Sequence, residues 1–306
     1  MSFFAVCPAP TGRYRRFSMA PPPESGLRPD TAPEAALRHI VAGCHADLLK
    51  YRAIVLKSAR PNGIHQTRVA LRRLRAAFGL FRDAVHGPAV RALSAEAKWL
   101  ARECGAARDL QVFLTETVSD VPPLVRRIGR RLADIHLRHA RAALSGARFA
   151  AFDRGLTAFV SRSPAPAPDV RLDAFGRAVL DMHRAKALRR GRKLHTFDAE
   201  RLHRLRIAIK KLRYAATFLA SAFASKEAKP YIEATVRLQG ALGALNDRAV
   251  AAQMLADLAT AARPTEDVAP PLKALAKQVA SGEKRRRRRL ERAWKDFRKA
   301  ERFWRA

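Results

Sequence analysis

The chain has 306 residues, and its 60 Lys and Arg against 27 Asp and Glu give a formal net charge of +33 at pH 7. A protein this basic requires an anionic partner, and nucleic acid, polyphosphate and an acidic membrane surface all meet that requirement. Hydrophobic residues make up 48% of the chain but aromatic residues only 7%, which predicts an Ala-, Leu- and Val-rich core of packed helices.

The cysteines and the N-terminal residues indicate the compartment. Cys7, Cys44 and Cys104 lie far apart without CxxC spacing, so we expect free thiols and no metal site. The apolar stretch in residues 3–6 is too short for a secretory signal, and no apolar run approaches the roughly 18 residues of a membrane span. We therefore expect a cytoplasmic protein without a cofactor and without a membrane partner.

Prolines divide the chain into segments. Residues 1–33 contain seven prolines and are predicted to be a disordered lead. Helical patterns then cover residues 34–58, 64–85, 89–104, a stretch from residue 110 that breaks at Pro122 and Pro123, and residues 124–161. The Pro- and Ala-rich residues 163–169 predict a linker. The chain is thus expected to consist of a first helical repeat, 34–162, and a second, 170–306.

The two halves are similar in sequence. Residues 65–75, read as His-x-x-Arg-x-x-x-Arg-Arg-x-Arg, align without a gap with residues 203–213, read as His-x-x-Arg-x-x-x-Lys-Lys-x-Arg. The same separation, 138 residues, relates Gly105 and Asp109 to Gly243 and Asp247, and His45 to His183. These matches predict an internal duplication and an all-α fold of two pseudo-symmetric four-helix bundles.

Each repeated motif forms a basic stripe on a predicted helix. At 100° per residue, the first, fourth, eighth and eleventh motif positions fall within an arc of about 80°, beside an apolar face. Arg73 and Lys211 lie off this arc, where they could serve a flank or an adjacent helix. The candidate polyanion-binding residues are His65, Arg68, Arg72, Arg73, Arg75, His203, Arg206, Lys210, Lys211 and Arg213.

The stripes have the chemistry of phosphate recognition. Few acidic residues separate these cations, so the usual i,i+4 partners are missing and an anion would relieve their repulsion. Arginine contacts two phosphate oxygens at once, and lysine adds a mobile charge. The alternative is that each stripe is a solvated helix face, and that His65 and His203 bond a carboxylate or a loop.

Other residues allow two interpretations. Asp109 and Asp247 either cap a helix that follows Gly105 and Gly243, or pair with the stripe arginines. His45 and His183 are expected between helices, with ligand contact as the alternative. The arginine run 285–289 is either a solvated surface or a secondary polyanion contact.

On the doubled His-x-x-Arg motif, the sequence resembles the CHAD family, the conserved histidine α-helical domain. The pairs Arg108-Asp109 and Asn246-Asp247 are similar to that family's second motif. The resemblance implies two four-helix halves related by a pseudo-twofold axis, with a basic surface or channel that binds inorganic polyphosphate. Many relatives join this domain to a triphosphate-processing CYTH domain. No pattern typical of a CYTH domain is present, so the chain looks like a stand-alone member.

The basic, helical sequence allows three functions. Polyphosphate binding through the paired stripes, with targeting to polyphosphate granules, fits the sequence best. Sequence-independent nucleic-acid binding is the alternative, although we find neither a nucleic-acid motif nor a ladder of stacking aromatics. A phosphohydrolase needs a nucleophile or clustered metal ligands. We find no such pattern and expect that the protein is not an enzyme.

Overall fold

The computed structural model describes residues 26–58, 61–162, 170–223 and 225–305, and every regular element within them is helical. The all-α prediction is therefore confirmed. Residues 1–25 of the predicted lead and all of the predicted linker lie outside the described residues. The helices are α1 Pro33–Lys57, α2 Pro61–Leu80, α3 Pro88–Glu103, α4 Gly105–Val112, α5 Pro123–Ser145, α6 Ala147–Ser161, α7 Leu172–Arg190, α8 Ala199–Leu219, α9 Ala228–Thr260, α10 Ala269–Ala280 and α11 Glu283–Lys299.

Several helix starts follow from local sequence. Proline begins α1, α3 and α5, where its missing N–H needs no intrahelical partner and its fixed φ suits the first turn. The N-cap of α8 is Asp198, whose Oδ1 accepts a hydrogen bond from the backbone N–H of Arg201 at 2.7 Å. This cap satisfies one of the free donors of the helix that carries the second basic stripe.

Two of the predicted boundaries differ from the structure. Residues 124–161 were expected as one helix, but Gly146 has extended backbone angles (φ −76°, ψ 167°) and separates α5 from α6. Gly105 and Gly243 were expected to end a helix, but Gly105 begins α4, two residues after α3 ends, and Gly243 lies inside the continuous helix α9. The described part of the first half thus has six α-helices and that of the second half five, instead of four each.

The helix order follows the 138-residue offset. Helices α2 and α8 begin at residues 61 and 199, and α6 and α11 end at residues 161 and 299. The halves do not form two separate cores, however. One core cluster includes buried residues from α1, α2 and α3 together with others from α7, α8, α9 and α11. A second cluster joins α4 and α5 to α9 and α10.

The apolar faces beside both stripes are buried as predicted. On α2, Leu71, Leu74 and Phe78 are at most 3% exposed, and Phe81, just after the helix, is fully buried. On α8 the buried set is Leu205, Ile209, Leu212, Ala216 and Leu219. Helix α2 packs on α1 and α3, α8 packs on α7 and α9, and α2 and α8 also contact each other. The core therefore fixes the direction in which both stripes point.

The last residues of the predicted lead are part of the packed structure. Leu27 is buried, and the backbone N–H groups of Leu172 and Asp173 donate to the carbonyls of Thr31 and Pro29 at 2.9 and 3.1 Å. Residues 26–32 thereby satisfy donors at the N-terminus of α7. No helix within the described ranges is long and apolar enough to cross a membrane.

An aromatic cluster attaches the C-terminal residues to the second half. Trp304 is fully buried, its ring centroid lies 4.9 Å from that of Tyr231, and its Nε1 donates to Oδ1 of Asp181 at 3.0 Å. Phe303 completes the cluster. The contacts between these rings and α7 and α9 stabilise the second half.

We expect Trp304→Ala to lower the free energy of unfolding by about 3–5 kcal/mol, because it leaves a cavity and removes one of the hydrogen-bond donors to Asp181. Urea unfolding followed by circular dichroism measures the change. Met182→Ala, at a side chain that is half exposed, is the control and should change stability by no more than about 0.5 kcal/mol. Equal midpoints for the two variants would contradict a stabilising role for the cluster.

Candidate functional site

The two basic stripes meet where α2 packs against α8. Arg72 Nε on α2 donates a hydrogen bond to the hydroxyl of Tyr214 on α8 at 2.6 Å. The pKa of Lys210 is lowered to about 8, first by burial and then by the charges of Arg206, Arg75 and Arg72. Two of these three cations belong to the other half of the chain, so the stripes face each other across one site.

We call this site the cross-half cluster. It contains cations from both halves, and its members are His65, Arg68, Arg72, Arg75, Arg108, Arg206, Lys210 and Arg213. All except the buried Arg213 are at least partly accessible to solvent. Burial, followed by the neighbouring positive charges, lowers the pKa values of several members, namely His65, Arg68, Lys210 and Arg213. The like charges make the cluster a region of strong positive potential.

Tyr214 holds two arginines of the cluster. The guanidinium carbon of Arg213 lies 4.6 Å from the centroid of the Tyr214 ring, while the hydroxyl of the same tyrosine accepts from Arg72. Burial lowers the pKa of Arg213, and the charge of Arg72 lowers it further. Because Tyr214 is itself 2% exposed and packed in the core, it fixes both side chains.

His65 lies at the edge of the cluster formed by the first half. Burial, followed by the charges of Arg108 and Arg72, lowers its pKa to about 4, so its imidazole is neutral at pH 7. Arg108 is held by Gln111 Oε1 at 2.9 Å and by Glu116 Oε1 at 3.0 Å. Glu116 belongs to a π-helical turn, Phe113–Thr117, that follows α4.

Asp109 pairs with Arg68 and does not cap a helix. Asp109 lies inside α4, not at its N-terminus, so its interpretation as a helix cap is wrong. Its Oδ1 is 3.4 Å from Nη2 of Arg68, whose Nη1 donates to the carbonyl of Ala101 at 3.2 Å. A Cβ atom at Gly105 would lie 3.0 Å from Nη1 of Arg68, so the glycine makes room for the guanidinium. The side chains of Asn246 and Asp247 are outside the described residues.

Three of the predicted site residues lie elsewhere. Arg73 points towards α1, where its Nη1 donates to Oδ2 of Asp47 at 2.8 Å. Lys211 lies on the exposed side of α8 and is only partly buried. Its pKa is lowered by that partial burial and then by the charges of three other cations, Lys186, Arg82 and Arg190. His203 is exposed near the start of α8. The structure therefore brings seven of the ten predicted residues into the cluster and places Arg73 and Lys211 beside it.

Sequence reasoning missed one member of the cluster, Arg108, and the residue that holds two of its arginines, Tyr214. Tyr214 has no counterpart in the first half, where Ala76 occupies the equivalent position, so the repeat gave no signal. Arg108 was noted in the second motif but was not assigned to the site. As expected, His45 lies between helices, and its Nε2 is 2.5 Å from Oδ1 of Asp153. Among the described residues no group of three His, Cys, Asp or Glu could hold a metal ion.

The comparisons with known proteins agree with this architecture. The model of the CHAD domain family matches residues 39–256, which is more than two thirds of the chain. The chain belongs to the CHAD family. The crystal structure of the CHAD domain from the plant Ricinus communis superposes with a TM-score of 0.77 at 26% sequence identity, over 90% of this chain and 94% of that chain.

A second solved structure is less similar. PptA from Streptomyces chartreusis superposes with a TM-score of 0.59 at 14% identity, over 88% of this chain and 99% of that chain. At this identity the match supports the fold alone. No curated protein matches the chain.

We expect Arg108→Gln to raise the pKa of His65 from about 4 towards, but not to, the usual 6.5. Removing a positive charge makes the protonated imidazole less unfavourable, while burial, the larger cause, remains. The His65 Cε1–H resonance followed by NMR against pH measures the shift. Arg154→Gln, on the exposed side of α6, removes the same charge and should leave the titration unchanged. An unaltered His65 titration in the Arg108 variant would show that Arg108 does not act on the site.

Proposed function

We propose that this CHAD protein binds inorganic polyphosphate in the cross-half cluster. The observation that carries the proposal is the contact between α2 and α8, where Arg72 of the first half donates to Tyr214 of the second. The charges of Arg72 and Arg75 act there on Lys210 of the opposite half. Cations from two separate helices converge there, so a single extended anion would contact both halves. A linear chain of phosphates, thin and charged at every unit, suits such a site.

The site is preorganised for this ligand. Tyr214 fixes Arg72 and Arg213, Asp109 and the Ala101 carbonyl hold Arg68, and Glu116 holds Arg108. Fixing these long side chains before binding reduces the conformational entropy lost on association. Arginine supplies paired donors for phosphate oxygens, while Lys210 supplies a compact charge.

Membership of the CHAD family adds support, because the resemblance based on the doubled His-x-x-Arg motif implies polyphosphate binding. The proposal extends to recruitment of the protein to polyphosphate granules inside the cytoplasm. A granule presents many long chains, so weak contacts at other basic surfaces, including the arginines of α11, would add to the affinity of the cluster.

Arg72→Gln and Lys210→Gln should each weaken the binding of long-chain polyphosphate about tenfold, and the double variant should bind more weakly than either. A charged hydrogen bond contributes roughly 1.5–3 kcal/mol, less where salt screens it. The slope of log K against log salt should also become less steep with each change, because fewer counterions are released. Calorimetric titration across a salt series measures both effects.

The matched control is Arg91→Gln with Arg154→Gln, which removes two charges from exposed positions on α3 and α6. Circular dichroism verifies that every variant is folded. If the control pair lowers the affinity as much as the cluster pair, net charge and not the cluster determines binding.

Nucleic acid is the competing ligand in this proposal, which is for binding of polyphosphate without its hydrolysis. At equal phosphate concentration we expect polyphosphate to displace duplex DNA, because a thin flexible chain fits between two adjacent helices better than a wide, rigid duplex. Displacement of polyphosphate by DNA would favour the nucleic-acid function.

We expect no release of phosphate from polyphosphate with magnesium or manganese present. Release proportional to protein concentration and lost in Asp109→Asn would favour an enzyme.

A further inference from the structure

The flank of the first stripe is neutralised by carboxylates. Arg73 on α2 pairs with Asp47 on α1 at 2.8 Å, and His45 on α1 contacts Asp153 on α6 at 2.5 Å. Both basic groups therefore have an acidic partner from a neighbouring helix. This side of the first half needs no external anion.

The same positions of the second half, 138 residues later, differ in charge. Lys211 replaces Arg73 and His183 corresponds to His45, but Ala185 stands in place of Asp47. Glu291 is the counterpart of Asp153, yet the charges that act on His183 are those of Lys211 and Lys186, both positive. One acidic partner of the first half has thus been lost, and a lysine, Lys186, has been added.

His183 and Lys186 lie three residues apart on α7, on neighbouring positions of one helix face, and α7 packs on α8, which carries Lys211. Lys186 on α7 and Lys211 on α8 act on His183 and on each other, and burial together with these charges lowers the pKa of His183 to about 4. Nδ1 of His183 is buried without a hydrogen-bond partner in the described structure. Arg190 borders the site, with its Nη1 fixed on the carbonyl of Arg204 at 2.9 Å. Arg82 also borders it and pairs with its exposed neighbour Asp83.

We propose that His183, Lys186 and Lys211 form a second anion site, separate from the cross-half cluster, which takes a small phosphate anion such as orthophosphate or pyrophosphate. The anion occupies the role that the Asp47 carboxylate has in the first half. Lys186 and Lys211 supply the charge, and His183 lines the site between them. Three groups on two packed helices suit a compact anion, whereas the cross-half cluster extends along two stripes.

This inference stands apart from the proposed function. The cross-half cluster is formed between α2 and α8, whereas the second site lies between α7 and α8, on the side of α8 to which Lys211 points. Either site can bind without the other. Lys211 was predicted from the sequence to contact polyphosphate. If a small anion binds here, Lys211 contacts a different ligand.

The test inserts the missing carboxylate. In the full-length protein, Ala185→Asp places an acid where the first half has Asp47, at an exposed helix position that tolerates the change. We expect pyrophosphate affinity at this site to fall at least about tenfold, because the new carboxylate pairs with Lys211 and competes with the ligand. Ala92→Asp on α3, also exposed, adds the same charge elsewhere and is the control.

The readout must separate the two sites. Pyrophosphate is titrated into wild type and into Arg72→Gln/Lys210→Gln, and the His183 ring resonances are followed by NMR. We expect the His183 shift to persist in the double variant and in Ala92→Asp, and to be lost in Ala185→Asp. Lys186→Gln, which adds no acid, should weaken the same shift.

The outcomes for the two proposals are distinguishable. A His183 shift that vanishes with Arg72 and Lys210, or that survives Ala185→Asp, overturns the second site while polyphosphate binding by the cluster stands. If the His183 shift is as expected but replacing Arg72 and Lys210 does not change the polyphosphate affinity, the second site is supported and the proposed function is overturned.

Discussion

The close approach of α2 and α8 is the constraint on which the site depends. It places cations of one half beside cations of the other, and two like charges about 7 Å apart repel each other by roughly 2 kcal/mol at an effective dielectric constant of about 20. Apolar packing behind the stripes opposes this repulsion, since Leu71, Leu74, Leu205 and Ile209 are fully buried. The fold therefore holds the cations together, and an anion that binds between them removes the repulsion.

The distribution of carboxylates makes this arrangement selective. Asp109 and Glu116 lie at the margin of the cluster, where they orient Arg68 and Arg108, and the charges that act on Lys210 at its centre are all positive. Carboxylates in the centre of the cluster would neutralise its charge. Without the carboxylates at the margin, the arginine side chains would be mobile. Marginal carboxylates thus direct the guanidinium groups without occupying the ligand's place.

Much of the fold and part of the site could be predicted from the sequence, and the reason is periodicity. Helical spacing separates a basic stripe from an apolar face, and the structure buries that face on both α2 and α8. Contacts between segments distant in the chain leave no such pattern. Nothing in the repeat indicates that Tyr214 reaches Arg72, because Ala76 occupies its place in the first half. Nothing local indicates that Asp109 lies inside α4, because a glycine four residues earlier is equally typical of a helix end.

The two halves are alike in their cations and different in their surroundings. Arg72 and Lys210 occupy equivalent positions, and the charge of Arg72 acts on Lys210. Around them, His65 is half-buried whereas His203 is exposed, and the π-helical turn that carries Glu116 corresponds to an uninterrupted part of α9. Asp47 neutralises a flank on which the second half has Ala185. The basic stripe is thus present in both halves, while the surfaces that flank it differ in charge and in burial. The differences between the halves are therefore where a second ligand is to be sought.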